Sequence, residues 1–289
     1  MSDDAGGTGT IDRSREGRTA IVTGASRGIG AAIARRLASA GAHVVVGARS
    51  VDRPTGEFAG TVHETAEAIR AAGGRATPLA VDVTDGESRR AFVAAALEAT
   101  GGVDILVNNA GTAVYEPTWA YDLPTAEGQV ETYLTGPWHL CNLLLPQMIE
   151  RGQGWILNLG SSSAVKTPQQ PYARHLQYHG HDVLYSMLKA AVHRFTVGLA
   201  AEVHEHGIAV NLVAPVGGVF TPGLDSLDLG FGPDHAAVEV PEQIAEAALH
   251  LVSGDPRERT GIVAWSHRYL DEIGRPTMSL DGRSVVVPR

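Results

Sequence analysis

The run Tyr185-Ser186-Met187-Leu188-Lys189 sets a phenol and an ammonium four residues apart. On a helix, positions i and i+4 share a face, so the two groups are neighbours. A cation beside a phenol favours the phenolate and draws its pKa from about 10 toward neutrality. Such a tyrosine can give a proton to a carbonyl oxygen or take one from an alcohol. Tyr172 and Tyr178 are followed at the same spacing by Leu176 and Asp182, so neither forms a rival pair. Upstream, Asn158-Leu159-Gly160-Ser161-Ser162-Ser163 closes an apolar segment. A serine hydroxyl at the carboxyl end of a strand can hydrogen-bond an oxygen on which charge develops.

A second motif supplies a place for a hydride carrier. Thr23-Gly24-Ala25-Ser26-Arg27-Gly28-Ile29-Gly30 follows an apolar run and opens a helical one. Glycines let a backbone turn tightly and approach a pyrophosphate, which then meets unpaired N–H groups at the helix start. The spacing is G-x-x-x-G-x-G rather than the commoner G-x-G-x-x-G, and it marks Gly24, Ser26, Arg27, Gly28, Ile29 and Gly30 as cofactor-binding candidates. About 18 residues on stands Gly47-Ala48-Arg49-Ser50. An acid there would bind the 2′-hydroxyl of NAD; Arg49, with Ser50 beside it and Arg27 as a second cation, suits the 2′-phosphate of NADP. NADP(H) is therefore the expected cofactor, with Asp82 and Val83 near the adenine.

These residues need a scaffold that brings them together. The short, Val- and Ile-rich runs Thr19–Thr23, His43–Ala48, Thr77–Asp82, Ile105–Asn108, Trp155–Leu159, Ala209–Ala214 and Gly261–Trp265 read as strands covered on both faces. Between them lie helical patterns at Ile29–Ala40, His63–Ala72, Ser88–Ala99 and Asp182–His206. This alternation predicts an α/β fold: a Rossmann-type, doubly wound parallel sheet of about seven strands with helices on both faces. Arg49–Gly60, Lys166–His181 and Phe220–Val240 read as irregular, and residues 1–17 as a flexible lead into one domain spanning 18–289.

Composition narrows the class. The 289 residues carry 23 Lys+Arg against 32 Asp+Glu, a net charge of −9, with no basic block, so no nucleic-acid partner is expected. No apolar run reaches the roughly 18 residues of a membrane span, and no secretory h-region is visible, so a soluble, cytoplasmic protein is expected. The single cysteine, Cys141, excludes an internal disulfide and reads as a packing thiol. Only Lys166 and Lys189 are lysines, so the chain uses arginine almost everywhere except beside Tyr185.

Taken together, Thr23-Gly24-x-x-x-Gly28-x-Gly30, Asn108-Asn109-Ala110-Gly111, Tyr185-x-x-x-Lys189 and Ala214-Pro215 with Val219-x-Thr221 resemble the short-chain dehydrogenase/reductase family over about residues 18–265. The resemblance implies that Asn109, Ala110 and Gly111 line the cofactor cleft, and that Pro215, Val219 and Thr221 lie along its nicotinamide end. It makes Ser161, three residues after Asn158, the catalytic serine, Tyr185 the acid/base, and Lys189 the residue that binds the nicotinamide ribose and lowers the Tyr185 pKa. Gly60–Glu67, Gly73-Gly74 and Val81–Val83 further resemble a subgroup with hydroxysteroid-dehydrogenase-like and citronellol-dehydrogenase-like members. The implied activity is NADP-dependent interconversion of a carbonyl and its alcohol. An epimerase or dehydratase on the same fold, or a non-enzymatic NADP-binding sensor, remain alternatives.

The chain departs from the family pattern in three places. Tyr133 stands where the family usually has an asparagine that helps hold a relay water; it either substitutes through its hydroxyl or the relay differs. Gly160 replaces a serine that often precedes the catalytic one. Ser161 and Tyr185 are 24 positions apart against roughly 13, so about eleven residues are inserted near 165–182. That segment reads as a loop at the active-site mouth that shapes substrate choice, with Tyr178, beside Ser161, Ser163 and Tyr185, as a substrate contact. His175-x-x-x-His179-x-His181 lacks an acid or cysteine at ligand spacing, so no metal is expected. Between Phe195 and Pro256 there are nine Asp or Glu and no Lys or Arg, and the lid near 221–240 holds Leu224, Leu227, Leu229, Phe231 and Val238. A cation-free, apolar lid favours a neutral hydrophobic carbonyl or alcohol over an anionic one. The tail 266–289 is expected at a subunit interface of a homo-oligomer, dimer or tetramer.

Overall fold

The computed structural model describes residues 14–55, 58–165, 170, 181–221 and 238–287. The apolar runs form β1 (Thr19–Thr23), β2 (His43–Ala48), β3 (Arg75–Ala80), β4 (Ile105–Asn108), β5 (Gly154–Leu159) and β6 (Ile208–Ala214). Two short strands follow, β7 (Gly218–Val219) and β8 (Val238–Glu239), then β9 (Val263–Trp265). Seven of these make one parallel sheet in the order β3-β2-β1-β4-β5-β6-β9, while β7 and β8 pair separately. Successive side chains in a strand point to opposite faces, and in the central strands β1, β4, β5 and β6 both faces are buried. Ala20, Val22, Val44, Val46, Ile105 and Val107 join one buried cluster; Ile21, Val45, Leu106 and Ile156 join the other.

Helices cover those faces. On the first lie α1 (Gly28–Ser39) and α2 (Val62–Ala71), contributing Ile33, Leu37 and Ile69. On the second lies α3 (Gly86–Thr100), with Phe92 and Ala96. A short α4 (Leu123–Val130) runs through a five-residue π-helical turn, Glu131–Thr135, into α5 (Gly136–Arg151). Then come α6 (Val183–Val203), α7 (Pro241–Leu251) and α8 (Ser266–Glu272). Start signals are written locally. Thr61 and Glu64 form a reciprocal capping box on α2, and Asp85 and Asp122 cap α3 and α4. α1 starts at Arg27 with no side-chain cap.

The connections from β1 and β4 leave in opposite directions, so their carboxyl ends diverge into a crevice. The glycine loop after β1 and Asn109-Ala110-Gly111 after β4 flank it. The third predicted strand shifts by two residues, the last starts two residues later, and β5 and β6 each start one residue earlier than expected. The third strand is Arg75–Ala80 rather than Thr77–Asp82, because the Asp82 N–H is taken by the Ser88 hydroxyl (2.9 Å) and its carboxylate folds onto Thr84. Its Pro78 is tolerated because β3 is an edge strand. The last strand is Val263–Trp265, since Gly261 takes a left-handed φ of 73° and turns the chain before it. The tail packs on its own chain: Leu280 lies against the α1-side core, and Met278 pairs with Val285.

Candidate active site

A buried polar row fixes the strand ends that carry the site. Asn108 Nδ2 donates to Asn158 Oδ1 (2.9 Å), and Asn158 Nδ2 donates to Thr196 Oγ1 on α6 (2.9 Å). Beyond Leu159 the chain turns through Gly160 to Ser161. Ser161 Oγ meets Ser163 Oγ at 2.9 Å and accepts the Ser163 N–H. The Ser161 hydroxyl lies close enough to the Tyr185 phenol to pull its pKa down. Ser161, Ser163, Tyr185 and Lys189 therefore stand together at the carboxyl end of β5.

Lys189 is 6% exposed, and its Nζ donates to the Leu159 carbonyl at 2.7 Å. Burial alone pushes its pKa down to about 7. Its Nζ lies 4.6 Å from the Tyr133 ring centroid and 5.7 Å from that of Tyr185. The spacing correctly makes the pair neighbours, but the expected depression of the phenol does not follow. Tyr185 lies above its ordinary value, because burial outweighs the pull of the Ser161 hydroxyl, and Asp182 pushes the same way. The ammonium faces the Tyr133 ring and donates to the Leu159 carbonyl.

The glycine loop is stitched to β4 by Asn109. Its Nδ2 donates to the Thr23 and Gly24 carbonyls (2.8 and 3.2 Å), while Thr23 Oγ1 accepts the Asn109 and Ala110 N–H groups. A Cβ on Gly30 would lie 2.4 Å from both Asn109 Nδ2 and the Gly24 oxygen, so no side chain fits there. Gly28, at φ 57°, faces the methyl of Thr221, which sets the chain just after β7 against the loop. Ser26 is buried, and the uncapped amides of Gly28, Ile29 and Gly30 open α1. That is an arrangement that fits a pyrophosphate.

Arg27, Arg49, Ser50 and Asp82 occupy the next corner. Arg27 Nη1 donates to the Phe58 carbonyl (2.6 Å), and its guanidinium lies 5.6 Å over the Phe58 ring. Burial, and then exposed Arg49, lower its pKa. Asp82 sits below the usual carboxylate range: burial opposes this, but Thr84, Arg49 and Arg89 prevail. Val83 presents its carbonyl to Arg89 Nη1. At the opposite end, Pro215 and Val219 flank a loop whose Val216 and Gly217 N–H groups donate to Glu239 Oε1 (2.5 and 3.2 Å).

Three neighbours of the site escaped the sequence reading. Tyr115, in the loop after β4, meets the Tyr185 ring edge-on at 5.7 Å; nothing in its context signals that. His193 Nε2 lies 3.5 Å from the Ser161 N–H and fills the space a side chain at Gly160 would need. Its signal is legible afterwards, since Tyr185, Lys189 and His193 recur at i, i+4 and i+8. Glu239 is buried, accepts the Ser266 hydroxyl, and lies 3.5 Å from His267 Nδ1. Tyr178 and most of the 165–182 and 221–240 segments, with His175, His179, Leu224 and Phe231, lie outside the described residues. Cys141 is buried and its thiol is pushed up to about 12, as suits a packing residue. Among the described residues there is no group of three His, Cys, Asp or Glu placed to hold a metal, and no helix long and apolar enough to cross a membrane.

Comparison with known proteins agrees with this geometry. The family model for short chain dehydrogenase matches residues 18–228. A 3beta-hydroxysteroid dehydrogenase 1 of Eggerthella lenta is 33% identical over 256 residues, covering 85% of this chain and 90% of that protein. Hydroxysteroid dehydrogenase-like protein 2 of Rattus norvegicus is 33% identical over 89% of this chain, which spans 47% of that longer protein. Among solved structures, L-sorbose reductase from Gluconobacter frateurii, complexed with NADPH and L-sorbose, superposes with a TM-score of 0.73 at 30% identity, covering 90% of this chain and 99% of that one.

Proposed function

The chain belongs to the short-chain dehydrogenase family and is an NAD(P)-dependent oxidoreductase; from that premise we propose that it uses NADP(H) to interconvert a neutral, hydrophobic ketone or aldehyde and its alcohol, with Tyr185 as the acid/base. The observation that carries this reading is the convergence of Ser161, Tyr185 and buried Lys189 at the end of β5, two strands from β1 and the uncapped, glycine-lined start of α1 that follows it.

When bound, the dinucleotide supplies or accepts the hydride. The chain's own residues do the rest. The Gly28–Gly30 amides hold the pyrophosphate. Arg49, with Arg27 beside it, offers a cationic corner for a 2′-phosphate, which supports NADP over NAD. Tyr185, high in pKa and therefore protonated, donates its phenol proton to the carbonyl oxygen. Ser161 hydrogen-bonds the same oxygen as charge builds on it. Lys189, when protonated, sets a positive charge behind the phenol and stabilises the phenolate left after transfer. The reverse reaction runs the same proton back from the alcohol.

Apolar substrate preference is supported by the rim. Trp119 (86% exposed) shares the loop of Tyr115; Leu123 opens α4; Val183 and Met187 flank Tyr185 on α6. An oligomer, dimer or tetramer, in the cytoplasm belongs to the same reading; Trp138 and Ile149, exposed on one face of α5, support the association, and light scattering tests it. The functional test is a panel of cyclic and long-chain ketones assayed by NADPH absorbance. Stoichiometric NADPH consumption, faster than with NADH, is the expected result. Product formed with no net change in absorbance would contradict a reductase. A preference for NADH would contradict the role of Arg49.

A further inference from the structure

We propose that Tyr133 is a positioning residue for the acid/base pair: its ring is an aromatic wall that carries the Lys189 ammonium on its face and braces Tyr185 edge-on. The inference rests on the reading of Tyr185 and Lys189 as the working pair, and it assigns the otherwise unexplained tyrosine at 133 a task.

Three observations meet at this ring. First, Lys189 Nζ lies closer to the Tyr133 centroid (4.6 Å) than to that of Tyr185 (5.7 Å). An ammonium has three protons to place, and here one hydrogen bond goes to the Leu159 carbonyl. Among the described residues no carboxylate pairs with it, so aromatic faces are its remaining source of negative potential. A π face counts for more when the cation is desolvated, and Lys189 is buried. Second, the Tyr133 and Tyr185 rings meet at 5.5 Å and 80°, an edge-to-face contact that fixes the phenol's azimuth. Third, Tyr133 cannot swing away. It is 5% exposed and sits within a buried cluster with Leu188, Val192, Leu212 and Ala214. A Cβ on Gly111 would fall 2.6 Å from its Cε1, so the glycine is what admits the ring. The π-helical turn Glu131–Thr135 that carries it widens the helix there and re-aims its side chains.

The groups that bear on Lys189 come from several elements. Tyr185 and His193 share its helix, Tyr133 faces it from the π turn, and Ser161 and the Leu159 carbonyl come from the end of β5. Tyr115 and Asp182 act one step removed, through Tyr185. Burial and the Lys189 charge both hold His193 below its ordinary value, so it adds no charge near neutrality. A π face favours the ammonium over the neutral amine. Weakening that face must therefore lower the pH at which Lys189 loses its proton.

The composition of the chain makes this directly measurable. With only two lysines, Lys166 and Lys189, carbon-labelled lysine gives two side-chain signals in the full-length protein, and Lys189→Met assigns them. The Lys189 signal is titrated in a series with phenylalanine at 133 bearing zero, one, two and three ring fluorines, which drains the π face at nearly constant shape. The expected result is a stepwise fall in the Lys189 midpoint, about one pH unit over the series. The alkaline limb of kcat/KM for carbonyl reduction should move with it. Tyr133→Leu should shift both further and lower kcat about ten-fold, with NADPH affinity changed less than about two-fold. A midpoint that ignores fluorination would overturn the proposal, and the series stands even where the leucine variant does not fold. Turnover at the parent rate in Tyr185→Phe would instead overturn the acid/base reading itself.

Discussion

Tyr185 and Lys189 show how a motif can be read correctly for place and incorrectly for effect. The spacing brings the two side chains onto one face, and they are neighbours there. Burial, which spacing cannot report, then raises the phenol and lowers the amine. The lowered amine makes a prediction with a definite sign. The folded-state value is about 7, whereas an unfolded lysine titrates near 10.4. Between those values the unfolded chain binds a proton that the native chain does not, so Lys189 makes stability rise from about pH 7 to about pH 10. Lys189→Met should therefore be inactive yet melt higher than the parent at pH 7, with the gap closing as pH nears 10. A gap that stays constant across that range would show that the lysine is not charged at a cost. Lys189→Arg should also lose activity despite keeping the charge, because a planar fork does not fit between the Tyr133 ring and the Leu159 carbonyl.

At the scale of elements, the backbone of the glycine loop was legible, because its geometry is local: glycine where a Cβ would collide and a helix start without a side-chain cap. Gly30→Ala tests this. Its Cβ would strike the Gly24 oxygen and Asn109 Nδ2, so NADPH titration should show affinity falling more than about ten-fold, with about 1–3 kcal/mol lost in urea unfolding. Glu239 is the opposite case. In the sequence it is an acid beside a proline-led helix, and nothing there says that it is buried. In the fold it holds the Val216 and Gly217 amides to the Ser266 hydroxyl, bracing the loop after β6 that we propose faces the nicotinamide. Glu239→Ala leaves those donors without their acceptor. It should cost about 1–3 kcal/mol and weaken NADPH binding, with Tyr185 chemistry otherwise intact in single turnovers. The π turn at Glu131–Thr135 was likewise invisible, since a one-residue widening leaves no compositional trace.

For the whole molecule, strand identity and the parallel α/β class followed from runs of Val and Ile broken by Ala-rich helices. Sheet order did not. The crossover that puts β1 beside β4 is a long-range choice, and it is what creates the crevice. The ties that hold the two ends of the chain together were also unreadable. Arg36 on α1 meets Glu246 on α7 at 2.6 Å, and Arg275 past α8 joins the same carboxylate at 2.5 Å, all inside the α1-side layer. Glu246→Ala removes the shared anion and should cost about 3–5 kcal/mol in urea unfolding, more than any exposed pair such as Glu87–Arg90. Acid should act through the same layer. His250 is held down to about 4, first by burial and then by Arg259 and Arg275, and its Nδ1 lies 2.9 Å from the Tyr269 hydroxyl. Below its ordinary value of about 6.5 the unfolded chain takes a proton that the native imidazole refuses. Stability should thus fall as pH drops from about 6.5 to about 4, and His250→Gln should flatten that slope.

The account turns on one proton donor. The direct measurement is NADPH consumption with a neutral hydrophobic ketone by Tyr185→Phe against the parent, both saturated with NADPH as judged by fluorescence titration. The phenolic hydroxyl alone is removed; the ring, the crevice, Ser161 and Lys189 stay. The account predicts turnover lower by about 10²–10⁴ with NADPH affinity nearly unchanged. Turnover within about two-fold of the parent would contradict it.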